Sequence, residues 1–147
     1  MTSKDGCMLQ RNSQESKRLN AQHEFMVSLS GEHLIHTSIP HKGLWAVADV
    51  ATGTGVWLRD VAACPEFSSQ VNGKKTEFVG FDISPEQFPS AGDLPSNLGF
   101  VVHDFTEPFP PQYREKFDLV NVRLLSYVIK ALDLKKIVQH ILQILRE

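Results

Sequence analysis

The sequence predicts an α/β fold in which a doubly wound, mostly parallel sheet is flanked by helices. Residues 44–50 (LWAVADV) and 117–122 (FDLVNV) are short apolar runs, which are typical of buried parallel strands. Apolar residues at helical spacing from Leu134 to Leu145 predict an amphipathic helix that covers the sheet. Strand-like and helical segments alternate along the chain, and this alternation indicates parallel strands joined by right-handed crossovers.

The first third of the chain contains one predicted helix and one predicted strand. Residues 1–17 are polar and mixed in charge, so we predict a mobile tail ahead of a domain that spans residues 18–147. Apolar residues at helical spacing predict a helix over 18–30. A loop that contains Pro40 leads from this helix to the first strand, at 44–50.

The remaining elements continue the alternation of helix and strand. Several prolines between the second and third strands leave room for at most a turn or two of helix. Asp133 is the predicted N-cap of the last helix. The predicted elements are a helix over 55–63, a surface loop over 66–76, strands over 77–81, 98–103 and 117–122, and a helix over 134–145.

Composition excludes several classes of protein. The 147 residues carry 15 Lys and Arg against 17 Asp and Glu, a net charge of −2, so no electrostatic feature predicts a nucleic-acid or membrane partner. Cys7 and Cys64 are the two cysteines, which excludes a disulfide framework and a CxxC metal site. The N-terminal segment is too polar for a signal peptide, and no run approaches the ~18 apolar residues of a membrane span. We therefore expect a cytoplasmic protein, with the nucleus as an alternative.

The segment between the first strand and the first crossover helix carries the chemistry. Residues 47–55 read Val-Ala-Asp-Val-Ala-Thr-Gly-Thr-Gly. In a doubly wound sheet, ligands bind at this position, outside the carboxyl end of a strand. Gly53 and Gly55 let the backbone bend sharply and approach a ligand, and the helix that follows adds free N–H groups. The two glycines alone fit a tight turn without a ligand equally well.

Two phosphate-binding patterns and a metal site fit the sequence less well. A dinucleotide-binding G-x-G-x-x-G/A pattern places a small residue where Leu58 stands. A P-loop requires G-x-x-x-x-G-K-[ST], whereas residues 73–76 (GKKT) lack the first glycine and precede a strand. The histidines at 33, 36 and 41 have no accompanying cysteine or acid cluster, so no metal site is predicted.

Four segments resemble the class I S-adenosyl-L-methionine-dependent methyltransferases. Residues 49–55 are similar to motif I of that family, an acid followed by G-x-G-x-G. Residues 79–84 resemble the second strand with its ribose-binding acid, and residues 103–105 resemble the end of the third strand. Residues 117–123 are similar to the fourth strand. Together with residues 18–23, these segments resemble fungal methyltransferases of secondary metabolism and its regulation.

The resemblance implies a role for each matching position, with S-adenosyl-L-methionine as the cofactor. Asp49 and the turn over 51–55 would line the methionine part. Asp82 would accept hydrogen bonds from the ribose hydroxyls, and Asp104 would accept one from the adenine amino group. No catalytic base is assigned. The implied cofactor-binding residues are Asp49, Ala51, Thr52, Gly53, Thr54, Gly55, Asp82, Ile83, Asp104, Phe105, Asn121 and Arg123.

Three of these positions carry an alternative or a departure from the family pattern. Ala51 stands where motif I usually has its first glycine, and its Cβ would slightly crowd the turn. Asp104 taken singly is as well explained as a loop acid or a helix cap. Arg123, which with Asn121 would lie near the cofactor and the substrate, has a structural ion pair as its alternative.

The resemblance also implies an incomplete fold. The family's Rossmann-like sheet usually has the strand order 3-2-1-4-5-7-6, and this sequence continues only to the helix after the fourth strand. We therefore expect about four strands in the order 3-2-1-4, in a C-terminally truncated domain that contains the cofactor half. The fourth strand would be an open edge, which self-association or a partner protein would cover.

Three functions remain open at this point. The first is a methyltransferase, or its cofactor-binding half, that acts on a small molecule in secondary metabolism. The second is a catalytically silent, methyltransferase-like binding or regulatory protein. The third is a nucleotide-linked oxidoreductase, which Leu58 disfavours.

Overall fold

The secondary structure follows the predicted alternation of helices and strands. The computed structural model describes residues 13–68, 73–123 and 134–147. Short 3-10 turns at 85–87 and 91–93 occupy the proline-rich connection before the third strand, as expected. The helices and strands are α1 (Ser13–Leu29), β1 (Ala46–Val50), α2 (Val56–Ala63), α3 (Pro65–Ser68), β2 (Glu77–Asp82), β3 (Leu98–Val102), β4 (Leu119–Val122) and α4 (Leu134–Ile144).

The strands form one sheet in the order β3-β2-β1-β4, with every pair parallel. This confirms the predicted fold class and strand order. Asp49 of β1 is aligned with Gly80 of β2 on one side and with Asn121 of β4 on the other. Since the strands run in the same direction, their carboxyl ends meet at one edge of the sheet. The loops that carry the predicted site residues therefore lie together at that edge.

Apolar side chains cover both faces of the sheet, because alternate residues of each buried strand point to opposite sides. Val47 and Phe78 belong to the cluster on the α2 side, and Val50 and Phe81 belong to the cluster on the α4 side. Leu58, which stands where the disfavoured dinucleotide-binding pattern has its third glycine, is fully buried in the first cluster.

The fourth strand departs from the prediction. It begins at Leu119 rather than Phe117, and its residues are half-buried rather than buried on both faces. Within the described ranges β4 pairs only with β1, so one edge of the strand has no neighbouring strand to cover it. Phe117 instead forms an isolated parallel bridge with Leu145, just after α4.

Two stretches of helix lie outside the predicted helices. The first helix begins at Ser13, so residues 13–17 belong to α1 and not to the predicted tail. Residues 65–68 form the short helix α3 inside the predicted loop, because Phe67 is buried and packs edge-on against Phe78 at 5.7 Å. The rest of the predicted tail, residues 1–12, and the predicted N-cap Asp133 lie outside the described residues.

The two residues that the first helix buries most deeply are polar. Phe25 and Leu29 are 61% and 67% exposed, whereas Glu15 and His23 are its buried residues. The apolar spacing therefore predicted the helix but not the face that it turns inward. No helix in the described parts of the chain is long and apolar enough to cross a membrane.

Candidate functional site

The turn after β1 has an unusual backbone conformation. Ala51, Gly53 and Gly55 all adopt left-handed conformations, with φ of 57°, 58° and 68°. A Cβ on Gly55 would lie 2.3 Å from Cζ of Phe100, so this position requires glycine for space as well as for conformation. Ala51 has no such freedom, and its left-handed backbone costs roughly 1–2 kcal/mol. The predicted crowding is thus a conformational strain.

Asp49 is a buried carboxyl group at the centre of this edge. One carboxyl oxygen accepts a hydrogen bond from the Thr52 hydroxyl at 2.6 Å, and the other accepts one from the Asn121 side-chain amide at 2.6 Å. Burial raises the pKa of Asp49 to about 6, although these two hydrogen bonds and the charge of Arg123 act in the opposite direction. The group is therefore close to a change of charge near neutral pH.

Asp82 connects the end of β2 to the turn. Its Oδ2 accepts a hydrogen bond from the Gly53 backbone N–H at 2.9 Å, and its Oδ1 accepts a longer one from Ser84 N–H at 3.3 Å. The backbone N–H of Thr52 donates to the Phe81 carbonyl at 2.9 Å, which fixes the same turn a second time. A carboxylate oxygen can accept more than one hydrogen bond, so Asp82 keeps the capacity to accept from ribose hydroxyls.

Arg123 lies at the end of β4, next to a histidine from α1. Its Nη2 is 3.0 Å from Nδ1 of His23, whose Nε2 is 3.0 Å from a carboxylate oxygen of Asp60. A guanidinium only donates, so Nδ1 of His23 is the acceptor and Nε2 carries the proton that is donated to Asp60. Burial lowers the pKa of Arg123, and the nearby charges of Asp49 and Asp60 oppose that shift.

The first helix also contacts the turn directly. The Thr54 hydroxyl donates to the Asn20 side chain at 2.8 Å, and Leu19 lies against Gly53. These contacts were not predicted from the sequence, although residues 18–23 resemble the opening of the family's fungal members. Asn20 and Thr54 are separated by 34 positions, and nothing in the local sequence pairs them.

The residues after β3 form a separate group. Oδ1 of Asp104 accepts hydrogen bonds from the backbone N–H of Thr106 at 2.9 Å and from its hydroxyl at 2.7 Å, so Asp104 caps its own loop. Phe105 is buried on the α4 side of the sheet, and Ile83 is half-buried after β2. In this structure Asp104 therefore acts as a loop acid, the alternative given above. The contact of Asp104 with adenine stays a prediction.

The structure thus brings most of the predicted positions to one edge of the sheet. Asp49 with Asn121, and Asp82 with Gly53, are joined by direct hydrogen bonds. Asp104 follows β3 two positions beyond Val102, the register partner of Asp82. Among the described residues no group of three or more histidine, cysteine or acidic side chains is arranged to hold a metal ion.

Comparison with known proteins identifies the family. A model of the methyltransferase domain matches residues 47–147, which include every predicted cofactor-binding position. The chain belongs to this family. The predicted class is confirmed, and S-adenosyl-L-methionine is accordingly the cofactor of its family. The match favours a methyltransferase-type protein over the nucleotide-linked oxidoreductase.

Fungal methyltransferases are among the similar proteins. Methyltransferase grgD of Penicillium sp is 35% identical over 133 residues, which cover 90% of this chain and 46% of that protein. N-methyltransferase verN of Clonostachys rogersoniana is 36% identical over 119 residues, which cover 79% of this chain and 38% of that protein. The chain therefore spans less than half the length of either relative.

Solved structures share the fold. A chain of the complex between the Haloferax volcanii Trm112 methyltransferase activator and a methyltransferase matches with a TM-score of 0.67 and 23% identity, covering 92% of this chain and 54% of that chain. The trans-methyltransferase CalH, solved in complex with S-adenosylhomocysteine (SAH), matches with a TM-score of 0.51 and 19% identity, covering 71% of this chain and 29% of that chain.

Proposed function

We propose that this chain binds S-adenosyl-L-methionine at the carboxyl edge of its sheet, as the cofactor-binding half of a methyltransferase that acts on a small molecule of secondary metabolism. The observation that carries the proposal is the left-handed turn over 51–55, held to the end of β2 by Asp82. This turn would let backbone N–H groups approach the cofactor closely. Asp49 would accept from the cationic ammonium group, and Asp82 would accept from the ribose hydroxyls.

The donor and acceptor groups fit the cofactor part by part. The buried carboxylate of Asp49 would pair with the ammonium group of the methionine part, and Asn121 and Thr52 hold that carboxylate in place. Asp82 would accept from the ribose hydroxyls while it keeps its bond to Gly53. Asp104 and Ile83, after β3 and β2, would meet the adenine ring.

The bound cofactor supplies a sulfonium methyl group that an acceptor nucleophile attacks. The chain's own contribution is to orient the two reactants, since holding them in line removes much of the entropic barrier of a bimolecular step. Asp49 fixes one end of the cofactor, Asp82 fixes the middle, and Arg123 lies beyond the end of β4, on the side where an acceptor would approach. None of these residues is assigned as a base.

Calorimetric titration with S-adenosyl-L-methionine and with SAH tests the proposal. We expect both to bind, and we expect Asp82→Ala to weaken binding by about 1–3 kcal/mol, because hydrogen bonds to a charged acceptor are lost. Asp93→Ala, which removes an exposed acid from a 3-10 turn, is the matched control and should bind as the unmodified chain does. Absence of heat with either ligand contradicts the proposal, and unchanged affinity in Asp82→Ala means that the ribose lies elsewhere.

A silent, regulatory role is the second candidate, and the exposed apolar residues of α4 favour it. Within the described ranges β4 has one strand neighbour, and Leu134, Val138 and Leu142 of α4 are 51%, 44% and 56% exposed. These three residues form an apolar stripe at intervals of four along α4 that would suit a second copy or a partner protein. Size-exclusion chromatography at several concentrations should show a dimer if a second copy covers it, and a concentration-independent monomer contradicts self-association.

A further inference from the structure

A cavity of about 290 Å³ opens beside Arg123, between the last turns of α1, the loop over 33–37 and the ring of Trp57. Ligand pockets in proteins usually measure ~300–1,000 Å³, so this one suits a compact molecule. The cavity is separate from the Asp82 and Asp104 positions, but Arg123 connects it to the Asp49 end of the site.

The walls of the cavity are largely apolar. Met26, Val27 and Leu34 contribute aliphatic surface, and Trp57 contributes an aromatic ring. His33, His36 and Thr37 also line the cavity and add polar groups. The indole N–H of Trp57 already donates to the Leu34 carbonyl at 2.9 Å, so the ring offers the cavity an apolar surface. The hydroxyl of Ser30, which also lines the cavity, lies 2.8 Å from the Val27 carbonyl and 2.7 Å from the His33 carbonyl, and it donates its hydrogen bond to these backbone oxygens.

Arg123 is the charged group of the cavity and has donors to spare. Its guanidinium is half-buried, stands 5.9 Å from the Trp57 ring centroid, and uses Nη2 to contact His23. Among the described residues, His23 is the one hydrogen-bond partner of that side chain. The other N–H groups of a guanidinium require oxygen acceptors, which a ligand in this cavity would provide.

Two acids near Arg123 determine which oxygen fits. Asp49 and Asp60 both act on Arg123 electrostatically, and within the described part of the chain neither forms a direct ion pair with it. When Asp49 pairs with the ammonium group of the cofactor, Asp60 still balances the charge of Arg123. The site then has no net positive charge to attract an anionic ligand, whereas a neutral carbonyl oxygen needs only the N–H donors of Arg123.

We propose that this cavity binds the methyl acceptor, and that the acceptor is a compact, neutral, largely apolar molecule whose carbonyl oxygen accepts hydrogen bonds from Arg123. The assignment rests on the proposed function, because it uses the nearness of Arg123 to the Asp49 end, where the methionine part of the cofactor would lie. His23 and Trp57 are positioning residues that hold the guanidinium at the cavity.

Binding of small probes to the full chain, with and without saturating SAH, tests the assignment. Dihydroquinolinone is a bicyclic lactam, tetrahydroquinoline lacks its carbonyl group, and a quinoline carboxylate is the anionic counterpart. Ligand-observed NMR should show the lactam binding about tenfold more tightly than either of the other two. Arg123→Met removes the N–H donors, so it should abolish this preference and leave tetrahydroquinoline binding unchanged. Arg59 is an exposed arginine on α2, and the control variant Arg59→Met should keep the preference.

A second variant separates the cavity from the cofactor site. Val27→Phe places a larger side chain in the cavity wall on α1, so it should abolish binding of the lactam while SAH still binds, and it carries the test if Arg123→Met does not fold. Equal affinities for the three probes in the unmodified chain, or a lactam preference that survives Arg123→Met, overturns the assignment. Arg123-dependent lactam binding in a chain that does not bind SAH contradicts the proposed function and leaves the carbonyl-binding cavity standing.

Discussion

Replacement of Asp49 by asparagine should change the pH dependence of stability by a predictable amount. Burial raises the pKa of Asp49 from 3.8 to about 6. The native state therefore keeps the proton to a higher pH than the unfolded chain does. The stability that this provides is fully present below pH 3.8 and is lost as the pH rises through about 6. At about 1.4 kcal/mol per pKa unit, the loss amounts to about 3 kcal/mol.

Asp49→Asn removes the charge and keeps the hydrogen bonds. The amide oxygen can accept from Asn121, and the amide N–H group can donate to the Thr52 hydroxyl. Urea unfolding from about pH 4 to about pH 7.5 should show the stability of the variant, relative to the unmodified chain, rising by about 2.4 kcal/mol, because part of the total loss has already occurred at pH 4. Asp93→Asn should show no such rise. A difference between Asp49→Asn and the unmodified chain that stays constant across this pH range refutes the reasoning.

The same variant should bind the cofactor more weakly although it is more stable at neutral pH. An asparagine has no charge with which to pair the cofactor's ammonium group, and such charge-assisted bonds are worth about 1.5–3 kcal/mol. In the unmodified chain, SAH affinity should fall as the pH drops below about 6, where Asp49 takes up its proton. Calorimetry over the same pH series measures both effects.

Two substitutions in the turn have opposite expected signs. Ala51→Gly should stabilise the fold by about 0.5–1 kcal/mol in urea unfolding, because relief of the left-handed strain exceeds the added freedom of the unfolded chain; a loss of stability contradicts this account. Gly55→Ala should destabilise by roughly 2–4 kcal/mol, because the new Cβ meets Phe100 in a left-handed backbone. Adding Phe100→Leu should recover part of that loss, and no recovery would mean that the ring is not the obstacle.

The sheet could be predicted from the sequence because each strand has a local signal, a short apolar run such as 46–50, which is buried on both faces by the two covering layers. The connections between these runs are long enough to cross over the sheet, which predicts parallel strands. The start of β4 could not be predicted in this way. Asp118 accepts hydrogen bonds from the backbone N–H groups of Trp45 and Ala46, at 2.7 and 2.9 Å, and so its role depends on a strand that lies far away in the chain.

The sequence predicted which residues form the candidate site, but not the hydrogen bonds that join them. A motif indicates that Asp49 and Asp82 stand at strand ends, but not that Asp82 is bound to Gly53 or that Asp49 lies between Thr52 and Asn121. The contribution of α1 was least accessible, because helical spacing shows which side chains share a face without showing which face packs. Here the packed face carries Glu15 and His23, and the apolar Phe25 is left exposed.

The polar attachment of α1 has a consequence for how a ligand enters. Separation of this helix from the turn would give up hydrogen bonds of roughly 0.5–1.5 kcal/mol each and the contact of Leu19 with Gly53, whereas Phe25 and Leu29 would stay as exposed as they already are. The strands do not depend on these contacts, because within the described residues the apolar clusters that cover the sheet contain no residue of α1. We therefore expect the sheet edge that would hold a ligand to stay formed when α1 opens locally.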